Sequence, residues 1–452
     1  MVVDAYVTRG EPALDKFVAS LDALLSEYKK QGGGHFDYHI IDTKDEDAKR
    51  RAKEAGLVEQ FFGATTGADG GLEKGFMGLA FRYGAESDAI KFLAPEGVGL
   101  EFWIDNKIRD IRAKADAHTY KIGLLTGHGE LSIAEPNLVP AASGSPNLKT
   151  IIQQNFPYYV FQDVDLKGGA GAIDPSFEGL VVTQPSSDLS DAELARIDEF
   201  ILHGKAAVFF VGAANVARGD TAMHATLSTH GLERLLGGYG IELGRDLVVD
   251  LDPKGAFSSL GVTTTGVANR QVPFVPLVTA EDHRLDASFP AFFRLDAVAF
   301  PLASSISVHP EKQPQAKLRE LARSSPRAVR VTGPDVDMHP FKPWSPAGAA
   351  GATVLAASIE GTLHGAFDPS RASTGPARVF VVASSQFLAN PIARASSSAN
   401  GMVPAPEEWT QAATPYAQQE LTSTILVFKN SLDWLTFEDD LAACGLLGDA
   451  GR

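Results

Sequence analysis

Apolar and polar positions switch between two periods along the first part of the chain. Residues 2–7 form a short run rich in β-formers. Leu14, Phe17, Val18, Leu21, Leu24, Leu25 and Tyr28 then recur at helical spacing, predicting an amphipathic helix opened by Glu11 and Pro12 and stopped at Gly32, Gly33 and Gly34. The alternation over 36–42 predicts a strand, 44–55 a charged helix ended by Gly56, 75–84 with 88–93 a β-hairpin, and 100–113 a closing helix. This order, β-α-β-α-β-β-α, is that of a thioredoxin-like fold. Redox chemistry on such a fold needs two cysteines at the start of the first helix. Positions 8–12 are Thr8, Arg9, Gly10, Glu11 and Pro12, so residues 1–117 are expected to form a thioredoxin-like domain lacking CxxC that binds or packs.

The pattern changes at about residue 118. An apolar strand over 121–125 runs into the polar, glycine-bracketed turn Thr126–Glu130, and a candidate helix at 148–155 precedes a strand at 158–166. Leu180–Thr183 reads as a strand buried on both faces and broken by Pro185. Ser190 is placed to cap the next helix with Glu193 at its third position, a capping box. Leu194, Ile197, Ile201 and Leu202 line the inner face, Gly204 ends the helix, and 206–211 form another buried strand. Doubly apolar strands alternating with amphipathic helices predict a parallel, doubly wound α/β sheet over 118–436. A short helix at 231–240 and a strand at 246–251 follow. Residues 252–376 read as an irregular insertion holding one buried-type run, 353–361; a second such run covers 377–388. A helix over 418–435 closes the domain, and 437–452 form a tail.

Composition narrows the function. With 44% hydrophobic residues over 452 positions, the chain has material for two cores. Its 40 basic residues against 56 acidic ones give a formal charge of −16, which repels nucleic-acid backbones and excludes them as expected partners. The one cysteine, Cys444, excludes an intrachain disulfide, a CxxC pair and a cysteine zinc cage. No apolar run reaches the length of a membrane span, and the start of the chain has no signal-peptide layout; as given, the sequence is expected neither to cross a membrane nor to export itself. A Walker A loop is absent, so ATP hydrolysis would come from another subunit. His203, His224 and His230 form no zinc-binding spacing and read as surface or capping residues; no metal and no cofactor are expected.

One crevice stands out. Thr126, Gly127, His128, Gly129 and Glu130 follow a buried strand and so fall at the carboxyl edge of the sheet, where doubly wound proteins bind ligands. The glycines let a backbone approach a ligand, and His128 and Glu130 can hydrogen-bond to it. The competing reading is structural: a tight turn in which His128 caps a neighbouring element. Ser384 and Ser385, at the end of the second buried run, are candidates to join the crevice, although no Gly-x-Ser-x-Gly elbow surrounds them. No residues are assigned to catalysis.

Several stretches together resemble the GldG-type auxiliary proteins of bacterial ABC transport systems. They are Leu24, Leu25, Glu27 and Tyr28; Ile41-Asp42; Ala55-Gly56-Leu57; Phe76–Gly84; Leu100-Glu101-Phe102; Lys121–Glu130; Asp188-Leu189-Ser190; Gly231–Ile241; and Asn430–Leu435. The resemblance spans roughly residues 2–436. It implies a non-catalytic auxiliary subunit of an ABC transport or gliding-motility complex, with an ABC permease and a separate ATPase as partners and a cell-envelope protein or polysaccharide as further candidates. It also implies a soluble region on the periplasmic, extracytoplasmic side of the membrane, held by anchors not found in this sequence. The middle domain is similar to the GIFT domain, itself related to flavodoxin-like and class I glutamine amidotransferase-like folds, whose nucleophilic cysteine is absent here. Where the family commonly has Gly-Asp-Ser-Asp-Phe, this chain has Ala383, Ser384, Ser385, Gln386 and Phe387. The alternatives are a sugar- or polysaccharide-binding module using Thr126–Glu130 and, more distantly, a hydrolase with an unrecognised site.

Overall fold

The computed structural model describes residues 1–436 except 11, 63–72, 95–99, 140–146, 218–219, 221–223, 264–265, 294, 339–341, 343, 345–347 and 397–406; Cys444 and the tail 437–452 lie outside the described residues. Contacts divide the chain into a unit built on Met1–Thr119 and a second built on Tyr120–Asn155 and Tyr159–Thr436.

Unit 1 contains β1 (Val2–Val7), α1 (Pro12–Gln31), β2 (Asp37–Asp42), α2 (Glu46–Glu54), β3 (Gln60–Phe62), β4 (Glu73–Gly75), β5 (Met77–Tyr83), β6 (Glu86–Ile90) and α3 (Leu100–Ala115). Four strands form one sheet in the order β2-β1-β5-β6, with β1 parallel to β2 and antiparallel to β5. Strand alternation sends Val3, Ala5, Val7, Leu79 and Phe81 to one face. There they pack with Leu14, Val18, Leu21 and Leu25 of α1 and Ile104, Ile108 and Ile111 of α3, as their helical spacing predicts. The small β3–β4 pair was not visible in the sequence pattern.

Unit 2 begins with β7 (Tyr120–Thr126), α4 (Leu148–Asn155), β8 (Tyr159–Asp165), β9 (Gly179–Thr183), α5 (Asp191–Leu202), β10 (Ala206–Phe210), β11 (Ala214–Val216), β12 (His224–Leu227), α6 (Leu232–Gly238), β13 (Ile241–Leu243) and β14 (Leu247–Asp250). It continues with β15 (Ala256–Thr263), β16 (Gly266–Thr279), β17 (Ala297–Ala299), β18 (Ile306–Val308), β19 (Ala316–Arg323), β20 (Ala328–Val331), β21 (Asp335–Asp337), β22 (Val354–Gly361), β23 (Ala377–Val382), α7 (Pro391–Ser396) and α8 (Glu407–Leu435). The main sheet runs β13-β18-β22-β23-β10-β9-β7-β8, and β19 also pairs with β22. From β8 to β23 neighbouring strands are parallel; from β23 outward they are antiparallel. The parallel part is doubly wound: Leu180, Val182, Ala207 and Phe209 pack with Leu194, Ile197 and Ile201 of α5 on one face. On the other face Phe210 meets Phe428 of α8 at 5.9 Å between ring centroids, and Phe380 meets Trp434 at 5.9 Å. Every residue of β9 and β10 is buried, which is why both read as unbroken apolar runs.

The region 252–376 is not the irregular insertion that its composition predicts; it carries β15 to β22. Its longest strand, β16, contains Pro273 and Pro276, which remove ladder donors and disguise a strand. The β15–β16 register shifts between Ala256 and Ser258, where β16 carries those prolines. The last helix also begins earlier than predicted and runs through Pro415. Among the described residues, no helix is long and apolar enough to cross a membrane.

Candidate functional site

The order β8-β7-β9-β10-β23 reverses direction at β7: the chain moves from β7 to β8 on one side and then to β9 on the other. Loops leaving the carboxyl ends of β7 and β9 therefore diverge around a topological switch point, the usual ligand crevice of such sheets. Thr126 ends β7 and Gly127–Glu130 opens the loop after it, while 184–190 is the loop after β9.

Gly127 and Gly129 both hold left-handed backbone, φ +115° and +65°, and a Cβ on Gly129 would stand 2.2 Å from Ser186 Oγ. The turn folds back so that the His128 amide donates to Glu130 Oε2 at 2.9 Å. The carbonyl of His128 accepts from the Ser186 and Ser187 amides, at 2.9 and 3.2 Å, and from their hydroxyls, at 3.0 and 3.3 Å. The His128 ring is buried between two carboxylates: Nδ1 is 3.3 Å from Glu130 Oε1, and Nε2 is 3.2 Å from Glu193 Oε2.

Glu193 ties this turn to a helix end. The capping box is present: Ser190 Oγ accepts from the Glu193 amide, and Glu193 Oε2 accepts from the Ser190 amide and hydroxyl at 2.9 and 2.8 Å. Its other oxygen, Oε1, accepts from the Gly168 amide in the β8 loop at 3.0 Å. Burial alone would raise the Glu193 pKa, but the bonds from Ser190 and then His128 outweigh it and hold the carboxyl below its usual range. One carboxylate thus joins the loops after β7, β8 and β9.

The rest of the edge is similarly engaged. Gln184 Oε1 accepts from the Gly212 amide and its Nε2 donates to Asn215 Oδ1, both at 2.7 Å. Ser304 Oγ accepts from the Ala213 amide and donates to the Asp246 carbonyl, both at 2.8 Å. Asp188 Oδ1 lies 2.8 Å from His230 Nδ1. Ser384 and Ser385 do lie just past the carboxyl end of β23, but β10 and β9 separate that strand from β7. Their hydroxyls donate to the carbonyls of Pro301 and Ala214, both at 2.5 Å, so the structure does not bring them to the His128 turn.

Of the other histidines, His203 is the C-cap residue of α5 and His224 is exposed beside Asp335. His230 departs from the surface reading: it is buried, at φ +51°. Sequence reasoning found the capping box but missed that Glu193 also holds His128, and it missed Gln184. The available signal was a polar side chain directly after an apolar strand. Among the described residues, no group of three or more His, Cys, Asp or Glu is arranged to hold a metal ion.

A family model described as "ABC-type uncharacterized transport system" matches residues 119–422, from β7 into α8, and includes this whole carboxyl edge. No curated protein matches the chain. Among solved structures, the "mmIFT52 N-terminal domain" is similar at 13% identity and a TM-score of 0.37, over 70% of this chain and 98% of that one.

Proposed function

The chain belongs to the auxiliary family of the ABC-type uncharacterized transport system, a non-catalytic accessory of such systems, and we propose that it acts there by protein contact, as a rigid module seated on a permease. The observation that carries this reading is the closed carboxyl edge. The side chains at the switch point of unit 2 bind the protein's own loops, and the Thr126–Glu130 turn serves as an internal clasp. A module built this way presents a fixed surface to a partner.

In this reading unit 1 is a thioredoxin-like domain without redox chemistry, supported by its strand order and connections, and unit 2 is flavodoxin-like, supported by the order β8-β7-β9-β10-β23. The partners are a permease and a separate ATPase, and the soluble region faces outward from the cytoplasmic membrane.

The test is crosslinking of the native protein in intact cells, followed by purification and mass spectrometry of whatever is attached. Recovery of an ABC permease together with its ATPase is the expected result. Recovery of neither, while a control membrane complex is captured in the same cells, overturns the reading.

A further inference from the structure

The two faces of the unit 1 sheet are unequally covered. α1 and α3 fill one face, whereas the other has α2, a helix of 9 residues that buries Ala48 and Ala52. Beyond α2 this second face is floored by small side chains, with Ala80 of β5 in register with Ala89 of β6 and Asp4 of β1. Tyr6 and Arg82 border this floor, and over it lies a cleft of about 470 Å³, within the usual range of ligand pockets of about 300–1,000 Å³.

Tyr6 stands in this cleft. Its ring is packed with Ala52, Leu57, Phe76 and Ala80 and is 5% exposed, yet among the described residues its hydroxyl has no hydrogen-bond partner. Burial first, and then Asp4, raise its pKa, while Arg51 and Arg82 act in the opposite sense, so at neutral pH it carries a proton to donate. The lining carboxylates already have cations. Asp4 holds Arg82 and His39, each at 2.8 Å; Asp88 holds Lys107 and Lys114 at 2.9 and 3.3 Å; Glu54 faces Arg50 at 3.7 Å. The cations least engaged are Arg51, which reaches Asp47 only at 4.0 Å while Asp47 pairs closely with Arg50, and Lys91, which has no ion pair among the described residues. In a chain of net charge −16 this lining, with Arg51, Arg82 and Lys91 against Asp4, Glu54 and Asp88, is locally balanced rather than acidic, and at physiological salt fields from distant carboxylates are screened within about 8 Å.

We infer that this cleft binds a small organic oxyanion, a phosphate or a carboxylate, which accepts a hydrogen bond from the Tyr6 hydroxyl and is neutralised by Arg51 and Lys91. The aliphatic floor of Ala80 and Ala89 takes the apolar part of the molecule. The site lies outside the residues matched by the family model.

The test uses the full chain labelled with 3-fluorotyrosine. The Tyr6 fluorine line is identified by its loss in Tyr6→Phe, and the protein is titrated with phenyl phosphate, benzoate and neutral benzyl alcohol. The Tyr6 line is expected to shift saturably with phenyl phosphate or benzoate, whichever matches the natural oxyanion, and to stay in place with benzyl alcohol. Arg51→Gln combined with Lys91→Gln should weaken that binding about tenfold. The remaining tyrosine lines report whether a variant is folded, and the exposed Lys91→Gln alone serves if the pair is not. A Tyr6 line unmoved by about 10 mM of either oxyanion, equal shifts with benzyl alcohol, or unchanged affinity in the charge variants each overturn the inference.

Discussion

Replacing Glu193 tests whether the carboxyl edge is held by one side chain. Its carboxylate accepts from the Ser190 amide and hydroxyl and from His128 on Oε2, and from the Gly168 amide on Oε1. Glu193→Gln keeps one acceptor oxygen. Placed toward Ser190 and His128, it turns an NH₂ toward the Gly168 N–H, so a donor faces a donor at a cost of about 1–3 kcal/mol. Glu193→Ala keeps the Ser190 cap on its backbone amide but removes both carboxylate oxygens and strands the Ser190, His128 and Gly168 donors, for about 3–5 kcal/mol in all. Urea unfolding in a Trp103→Phe background isolates the effect, because Trp344, Trp409 and Trp434 all belong to unit 2. Glu199→Ala, which loses only a half-exposed pair with Arg196, is the control and should stay within about 0.5 kcal/mol.

The sign of the pH dependence follows from the lowered pKa of Glu193. Its contribution is fully present above the unfolded carboxyl value of about 4.3 and is lost as the pH falls through the folded value. Other carboxyls titrate alike in both proteins, so the stability gap between wild type and Glu193→Gln should be full at about pH 7 and narrow below about pH 4. A gap under about 0.5 kcal/mol at neutral pH, or one indifferent to acid, would mean that the Glu193 carboxylate does not hold this edge.

Two further predictions concern α8 and the glycine turns of the carboxyl edge. Burial pushes the Glu420 carboxyl in α8 up to about 7, so its contribution is complete below about pH 4.3 and is lost as the pH rises through 7; Glu420→Gln should match wild type near pH 4 and exceed it by about 2–4 kcal/mol near pH 8, and parallel pH curves would contradict this. Gly129→Ala combines φ +65° with a clash against Ser186 and should cost about 2–4 kcal/mol, whereas Gly168→Ala, at φ +67° with open space, should cost about 1–2 kcal/mol; calorimetry showing equal losses would remove the clash from the account.

What the sequence discloses depends on whether local pattern and global burial agree. α5 was legible to its caps, because Ser190, Glu193 and the Leu194-Ile197-Ile201 stripe carry one message. β9 and β10 were legible because both their faces are buried. β16 was not, since its prolines contradict a strand locally and only tertiary pairing overrules them. The position of Thr126–Glu130 at the carboxyl edge followed from the strand before it. That His128 lies between Glu130 and Glu193 did not, because 63 positions separate the latter from Glu130 and only the order of strands brings them together. Ser384 and Ser385 show the converse: the right edge, but with two strands, β10 and β9, in between.

The place of β23 has a consequence for how the chain is made. It completes the parallel sheet beside β10, yet the ribosome delivers it only after the whole excursion through β11 to β22. Until then β10, apolar on both faces, has an open edge with unpaired amides and carbonyls, and the helix that covers its second face, α8, is later still. Pairing across so long a closed loop makes this a slow step. The nascent chain therefore passes through a stage in which β10, already paired with β9 on one edge, has its other edge and its second face open until β23 and α8 arrive.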